Sequence, residues 1–529
     1  MNCKTLSYVL RTLVFACLAC RAGELMAEGF SKKGAPSLSA DQVQKMECRY
    51  FTELLGVHSL QGVAGPLDRI AGTEVDTVVC CPMGWRFYNF PSEVDLTWRE
   101  PNKHPRDQTL YANWKNMVDN LAAGGDPLRD ALERTRQLKK RFVASFRMND
   151  NHYVHIENFP THNNFWREHP EYRLGADTKR FSSSDTAPVF NYLVPEVRDF
   201  YFSVIEEICT KYDVDGMELD FQRAPRFFHD KDVDQGRAVM TAHVKRIREM
   251  LDRIGKTRGK HLELCVRVLH TVDANDAIGL DVMAWDAAGW LDGITVSSSY
   301  IHTADTGIEG FAAKRKKAKI HGELNYVHLQ VAGTGHSAQD RRYVTPETYR
   351  AATLSYLERG ADGVSFFNTY CIPQPELKKL TSDLLRNYKD LDILKRSNKN
   401  YTSYATRATM SGTIFPAKNE STFEMFIADE MPGYCAKAAL RFETKKPCKD
   451  LRVEAWVNGR KLEAYTCAET ELFPPIMVNK ASAKMENLKF FVVPVSALRF
   501  GINRVQVKNV DRGKQPCDFA SAELGLYMQ

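Results

Sequence analysis

Between residues 75 and 368 the sequence repeats one pattern, in which a short apolar run is followed by a polar turn and a segment with helical periodicity. The apolar runs are Val75–Cys81, Phe142–Phe146, Val189–Leu193 (the weakest), Gly216–Phe221, Leu262–Leu269, Gly293–Ser299, Ile320–Tyr326 and Gly363–Asn368. Strands that alternate with helices indicate βαβ units and a parallel sheet. Eight strands over about 300 residues favour a closed (β/α)8 TIM barrel over an open doubly wound sheet.

After Asp390 the pattern changes to short alternating strands, and Asn458-Gly459 supplies a strong hairpin-turn signal between two of them. This part of the sequence predicts a C-terminal all-β sandwich. The polar stretch before it, rich in Ser, Asn, Lys and Tyr, is expected to be a linker. The predicted organisation is a signal peptide over residues 1–27, the barrel over 28–390, the linker over 391–404 and the sandwich over 405–529.

Length and charge limit the class of protein. With 529 residues, the chain is too long for one average domain. The 72 basic and 66 acidic residues leave a net charge of only +6, which gives no reason to expect a nucleic-acid partner. No glycine-rich phosphate loop follows any of the apolar runs, which argues against the commonest dinucleotide and nucleoside-triphosphate sites.

The N-terminus has the features of a secretory signal. Lys4 and Arg11 precede or interrupt an apolar stretch that ends in small residues before Ala27, and the stretch is too short to span a bilayer. We therefore expect an exported protein, in the periplasm, at the cell surface or secreted. Lipid modification of Cys17 or Cys20 is an alternative fate of the same segment.

Export would permit disulfides. Ten of the 13 cysteines follow the predicted signal, and no spacing among them resembles a metal site. Those in the apolar barrel segments read as buried free thiols. The cysteines after residue 430, which are Cys435, Cys448, Cys467 and Cys517, are the better candidates for disulfides, and their pairing stays open.

The segment Tyr212–Pro225 carries the clearest chemical signal. Its polar side chains Glu218, Asp220 and Gln222 alternate with apolar ones. Because successive side chains of a strand point to opposite faces, these three share one side. Two carboxyl groups and an amide on one strand face suit the interior rim of a β/α barrel, where they would face a ligand.

Other polar and aromatic residues follow the ends of the remaining runs, where a barrel of this type carries its active site. The candidates for substrate contact are Trp85, Arg147, Asn149, Asp150, His152, Asn191, Tyr192, Gln222, Arg223, Arg267, His270, Tyr300, His302, Asn325, Asn368 and Tyr370. Rings can stack on sugar faces, while charged and amide groups can bind hydroxyls. We therefore expect a carbohydrate ligand, with neither a metal nor an organic cofactor.

Glycosidic cleavage usually needs two carboxyl groups on opposite sides of the scissile bond, one of which donates a proton. We expect Asp220 or Glu218 to be the general acid/base and Glu323 to be the nucleophile or second base. The alternatives are an interior Glu218 paired with Arg147 or Arg267, and a Glu323 that only holds a neighbouring loop.

Several motifs resemble those of the family-10-like glycosyl hydrolases, over about residues 70–380. They are Asp215–Pro225, Arg147–Asp150, His169–Glu171 and Pro195–Arg198. The resemblance implies an exported bacterial barrel protein with an added β-domain, and a functional role for Asp220, Arg223 and Glu218. Fold likeness does not establish activity.

Family 18 chitinases have a similar motif whose last acidic position is the proton donor. Gln222 occupies that position in this chain, and an amide cannot donate a proton as a carboxylic acid does. This difference disfavours chitinase-type chemistry. The sequence therefore predicts a glycoside hydrolase that acts on a poly- or oligosaccharide, and the alternatives are a carbohydrate-binding pseudoenzyme or a structural surface protein.

Overall fold

A closed barrel of eight parallel strands forms the first part of the chain. The computed structural model describes residues 37–54, 64–84, 86–95, 108–154, 156, 159, 162–175, 188–298, 306–329, 342–372, 375–404, 417–465, 473, 487–511 and 517–529. The barrel strands are β1 (Glu47–Glu53), β2 (Thr77–Cys81), β3 (Arg141–Arg147), β4 (Gly216–Asp220), β5 (Glu263–Leu269), β6 (Gly293–Ser297), β7 (Lys319–Asn325) and β8 (Gly363–Phe367). Each strand pairs with the next in chain order, and β8 closes on β1. The predicted fold class is confirmed.

The first strand of the barrel, β1, was not predicted from the sequence. Its residues, ECRYFTE, include three charged side chains and so do not form an apolar run, yet all seven are buried. They are buried because the charged side chains find partners inside the barrel: Glu47, for example, accepts a hydrogen bond from Arg49 Nε at 3.0 Å. Seven of the eight predicted runs correspond to β2–β8.

The eighth predicted run, Val189–Leu193, is not a barrel strand. Its only strand-like pairing among the described residues is an isolated bridge between Phe190 and Arg173. The segment is apolar because it packs over the barrel, as the complete burial of Tyr192 indicates. Apolar composition alone therefore did not distinguish a strand of the barrel sheet from a buried loop.

Helices surround the barrel. Their bounds are α1 (Ala40–Lys45), α2 (Ala64–Asp68), α3 (Gln108–Ala122), α4 (Pro127–Gln137), α5 (Asn164–Glu168), α6 (Pro195–Lys211), α7 (Val233–Arg258), α8 (Val272–Asp276), α9 (Val282–Ala287), α10 (Ile308–Lys314), α11 (Pro346–Glu358), α12 (Pro375–Arg386) and α13 (Leu391–Arg396). The long helices α6 and α11 begin at a proline, whose missing N–H and fixed φ suit the first helical position. Across the described ranges, no helix combines the length and apolar character of a membrane span.

Two antiparallel sheets follow the barrel. Their strands are β9 (Lys399–Tyr404), β10 (Ala417–Lys418), β11 (Glu420–Ile427), β12 (Cys435–Thr444), β13 (Val453–Val457), β14 (Arg460–Lys461), β15 (Glu463–Tyr465), β16 (Leu488–Val493), β17 (Gly501–Asn509) and β18 (Asp518–Met528). One sheet has the order β9-β18-β12-β16-β15 with β10 beside β18, and the other has the order β11-β17-β13-β14. Side chains from both, such as Phe423 and Phe442, share one apolar core.

The predicted linker, residues 391–404, is regular structure. Asp390 accepts a hydrogen bond from Ile393 N–H at 3.0 Å and caps α13, and the chain then enters β9 directly. In β9, the buried Lys399 Nζ lies 3.0 Å from a carboxylate oxygen of Asp429. This segment resembles a linker in sequence because it is rich in polar residues. In the structure such side chains have hydrogen-bond or ion-pair partners within the fold.

A glycine sets the distance between the barrel wall and α11. A Cβ on Gly322 of β7 would lie 2.1 Å from the ring of Tyr356, a buried side chain of α11. Tyr356 also donates from its hydroxyl to the backbone oxygen of Glu323 at 3.3 Å. The close approach therefore needs a residue without a side chain at position 322.

We expect Gly322→Ala to lower the free energy of unfolding by about 1–3 kcal/mol, because the added methyl group overpacks the contact with Tyr356. The matched control is Gly310→Ala in α10, where an added Cβ would meet no atom within 4 Å. That variant should match the wild type or gain up to about 1 kcal/mol. Urea denaturation measures both, and equal stability of the two variants would contradict the prediction.

Candidate active site

Carboxylate and guanidinium groups gather at the carboxyl ends of the barrel strands, which we call the mouth. The strand register aligns Arg147 with Asp220 and Asp220 with Arg267. Side chains at one level of neighbouring strands can therefore meet inside the barrel.

Arg267 joins two of the predicted catalytic residues in one bridge. Its Nη1 lies 3.0 and 3.1 Å from the two oxygens of Asp220, while its Nε lies 2.5 Å from Glu323 Oε2. Its guanidinium carbon also stands 3.9 Å from the ring centre of Phe367. All three polar residues are at most 1% exposed, so the bridge is shielded from bulk water.

Further hydrogen bonds fix the two carboxylates. Asp220 Oδ1 accepts from the backbone N–H groups of Gln222 and Arg223, at 2.9 and 3.1 Å, because the chain turns directly after β4. Glu323 Oε1 accepts from the Ser297 hydroxyl at 2.7 Å. Asp220 and Glu323 thus lie on either side of one guanidinium group, that of Arg267, an arrangement that was not predicted from the sequence.

A second bridge on the other side of the mouth contains Glu53, a residue that was not predicted from the sequence. Arg147 donates to Glu53 at 2.7 Å and to Asp150 at 3.2 Å, and the Tyr370 hydroxyl donates to Glu53 at 3.1 Å. Glu53 was overlooked because β1 was not recognised. The period-two spacing of Glu47, Arg49, Phe51 and Glu53 was the available signal.

His152 extends the second bridge toward solvent. Its Nδ1 lies 2.8 Å from Asp150 Oδ1, and a quarter of its side chain is exposed. Burial of the ring, aided by the charge of Arg223, lowers the pKa of His152 to about 3. Burial alone would raise the pKa of Asp150, but His152, Arg147 and Arg223 together hold it well below its usual range. At neutral pH the dyad is a neutral imidazole beside an anionic carboxylate.

Glu218 occupies the level beneath the mouth. It is 1% exposed and accepts hydrogen bonds from Ser145 at 2.9 Å and Thr295 at 3.3 Å. Burial raises its pKa, opposed by the charges of Arg49 and Arg267. It is thus an interior carboxyl, as the alternative interpretation held, but hydroxyls are its hydrogen-bond partners and not the guanidinium groups of Arg147 or Arg267.

The base of the barrel holds a third polar level. Glu47 accepts from Arg49 Nε and the Thr77 hydroxyl, both at 3.0 Å, and lies 3.3 Å from His321 Nε2. Against the effect of burial, Arg49 and His321 hold the pKa of Glu47 well below its usual range. The interior therefore has paired charges at the base and at the mouth, and a carboxyl group held by hydroxyls between them.

Three of the predicted substrate-contact residues form hydrogen bonds within the protein. Asn149 Nδ2 donates to the backbone oxygens of Phe190 and Arg226 at 2.9 and 2.8 Å, which joins two loops. Asn191 Oδ1 accepts from the N–H of Leu193 at 3.0 Å. The fully buried Tyr192 donates to the Met148 carbonyl. These hydrogen bonds tie the three side chains to backbone groups of the loops around the mouth.

The remaining candidates lie at or near the strand ends. Gln222 and Asn325 are buried beside Asp220 and Glu323, and Asn325 Nδ2 lies 3.4 Å from Glu323 Oε1. Asn368 follows β8 with a left-handed φ of 55°. His270, which follows β5, is partly buried. Trp85, Tyr300 and His302 lie outside the described residues.

No group of three or more histidine, cysteine, aspartate or glutamate side chains in the described ranges could hold a metal ion. The signal-peptide prediction, over residues 1–27, also lies outside those ranges.

Comparison with solved structures gives three similar proteins. Alpha-L-fucosidase isoenzyme 2 from Paenibacillus thiaminolyticus is 14% identical, with a TM-score of 0.43, over 67% of this chain and 51% of that one. The PgaB (BpsB) glycoside hydrolase domain from Bordetella bronchiseptica is 8% identical, with a TM-score of 0.42, over 65% and 99%. Chitinase ChiA74 from Bacillus thuringiensis is 10% identical, with a TM-score of 0.40, over 88% and 98%. The chain thus spans about half the length of the fucosidase.

No curated protein matches the sequence. A family model does: residues 106–237 match the family described as glycosyl hydrolase-like 10. The matched segment includes β3, β4 and the residues Asp150, Asp220 and Arg223. The resemblance predicted from the motifs is confirmed over residues 106–237, which are similar to the glycosyl hydrolase-like 10 family.

Proposed function

We propose that this chain is a glycoside hydrolase that cleaves a poly- or oligosaccharide at the mouth of its barrel. The observation that carries the proposal is the bridge in which Arg267 lies between Asp220 and Glu323. The match of residues 106–237 to a glycosyl hydrolase-like family supports the same class of reaction.

The charge of the bridge suits acid/base chemistry. Two carboxyl groups share one guanidinium, so the group carries a charge of −1 when both acids are ionised. One protonated and one ionised carboxyl group is the combination that glycosidic cleavage needs.

We assign the roles from this arrangement. Asp220 is the general acid/base, which donates its proton to the glycosidic oxygen as the bond breaks. Glu323 is the nucleophile or second base, and its negative charge stabilises the oxocarbenium-like transition state. Arg267 orients both groups. Glu218 is a structural carboxyl, since it lies a level below and bonds to hydroxyls.

Sugar hydroxyls would bind to the groups around the bridge. His152 and Asp150 form a donor–acceptor pair at the solvent side, and Arg223 lies beside them. Gln222, Asn325, Asn368 and Tyr370 lie at the ends of β4, β7 and β8. We propose that these side chains determine the position of the glycan, and that the chain meets it after export directed by residues 1–27.

The second candidate function is a carbohydrate-binding pseudoenzyme. Two observations favour it: the amide Gln222 in the position of the chitinase proton donor, and the full set of hydrogen bonds that Asp220 already accepts. An oligosaccharide panel discriminates the two functions. The hydrolase releases new reducing ends from a bound glycan, whereas the pseudoenzyme binds glycan in calorimetry without releasing any.

We expect Asp220→Asn and Glu323→Gln each to lower kcat for glycan hydrolysis by about 10²–10⁴-fold, because each removes a proton-transfer or charge-stabilising group while keeping the side-chain shape. Release of reducing ends measures this. The matched controls are Asp199→Asn and Glu206→Gln, whose carboxylates form exposed ion pairs on α6. Turnover at the wild-type rate in either mouth variant would exclude that residue from the mechanism.

Glu218→Gln should retain hydrolysis and change the pH dependence of stability. Because burial raises the pKa of Glu218 above 4.5, the wild type loses this contribution to stability as pH rises through the folded-state pKa. Gln keeps the neutral shape at every pH. Urea denaturation should therefore give similar stability near pH 4 and a more stable variant near pH 8.

A Glu218→Gln variant that is less stable than the wild type near pH 8 would contradict a raised pKa of Glu218 in the folded protein. A 100-fold loss of turnover in a folded variant would instead assign the acid/base function to Glu218.

A further inference from the structure

Two cysteines lie where the central strands of the larger C-terminal sheet leave their ladder. The N–H of Lys445, just after β12, donates to the backbone oxygen of Asp518, the first residue of β18, at 2.9 Å. Cys448 follows Lys445 by three residues, and Cys517 directly precedes Asp518. The pairing of β12 with β18 therefore brings together two residues that are far apart in the sequence.

Local hydrogen bonds hold both backbones. Asn419 N–H donates to the Cys517 oxygen at 2.7 Å, and the Cys517 N–H donates to Asn419 Oδ1 at 3.1 Å. The Cys448 oxygen accepts from Leu451 N–H at 3.0 Å. The two cysteine positions are thus fixed on neighbouring turns.

The side chains of Cys448 and Cys517 meet inside the apolar core between the two sheets. They are 1% and 2% exposed and belong to one cluster of buried residues, and each thiol shifts the pKa of the other. The barrel cysteines differ. Cys265, for example, has a guanidinium partner in Arg49, and burial raises its pKa to about 12.

We propose that Cys448 and Cys517 form an intrachain disulfide that ties the end of β12 to the start of β18. The proposal assigns a covalent modification site and is independent of the hydrolase function. It gives a specific pairing to two of the four C-terminal cysteines.

The reaction is thiol–disulfide exchange with a low-molecular-weight or protein disulfide as the oxidant. The hydrogen bond from Cys517 lowers the pKa of Cys448 to about 7, which makes Cys448 the attacking thiolate. Its sulfur bonds to one sulfur of the oxidant, and the other leaves as a thiolate. Cys517 then attacks the mixed disulfide and releases the second thiolate. The two protons of the cysteines end on the two thiols of the reduced oxidant.

Alkylation of the full chain tests the proposal. The protein is equilibrated in oxidised and reduced glutathione at defined ratios, denatured in acid, alkylated and digested. We expect a pair of peptides linked through Cys448 and Cys517 at glutathione ratios at which the buried Cys209 remains a free thiol and is therefore alkylated. Free thiols at positions 448 and 517 in every glutathione ratio, or a different partner for either cysteine, would overturn the proposal.

Thermal unfolding provides a second readout. A disulfide that closes this long loop restricts the unfolded chain, so reduction should lower the Tm of the oxidised wild type by several degrees. The double variant Cys448→Ser, Cys517→Ser should show no response to reductant, while the exposed control Cys371→Ser should respond like the wild type. An equal response of the double variant would overturn the proposal even if its own Tm is low.

Discussion

The Arg267 guanidinium, placed between Asp220 and Glu323, is the interaction on which the rest of the mouth depends. Its two partners come from β4 and β7, and Arg267 itself comes from β5, so the bridge fixes three strands at one level. A buried charge without a partner is strongly unfavourable, and removal of one member of such a group typically costs about 3–5 kcal/mol. The carboxylates of Asp220 and Glu323 therefore have two roles: they link the strands of the barrel through Arg267, and they are the groups that we propose act on the sugar.

The same rule of pairing governs the whole interior. At the base, Glu47 lies between Arg49 and His321; at the middle level, Glu218 lies between two hydroxyls; at the mouth, Arg147 lies between Glu53 and Asp150. Many barrels fill this space with branched apolar side chains. In this chain, apolar packing is concentrated between strands and helices, as in the contact of Gly322 with Tyr356.

This division explains what the sequence could and could not predict. The barrel followed from apolar runs that alternate with helical segments, and the sheet region followed from short alternating strands. Period-two alternation predicted that the side chains of Asp220 and Glu323 point into the barrel, but not that Arg267 lies between them. The strand β1 was not predicted, since its inward charges hide it, and Glu53 was lost with it. Val189–Leu193 was misread because a buried loop and a strand share apolar composition. The meeting of Cys448 and Cys517 depends on the register of β12 and β18, which no local pattern encodes.

The direct passage from α13 into β9 has a consequence for the independence of the two halves of the chain. Phe426 and Ala428, which belong to the sheet region, are packed in the apolar cluster of the barrel, while Ala351 of α11 belongs to the core between the sheets. Each half therefore supplies part of the other's interior. A barrel truncated after its last helix would expose the apolar surface that the C-terminal half now covers. Transfer of the C-terminal half to another barrel in evolution would therefore require a matching α11 in that barrel.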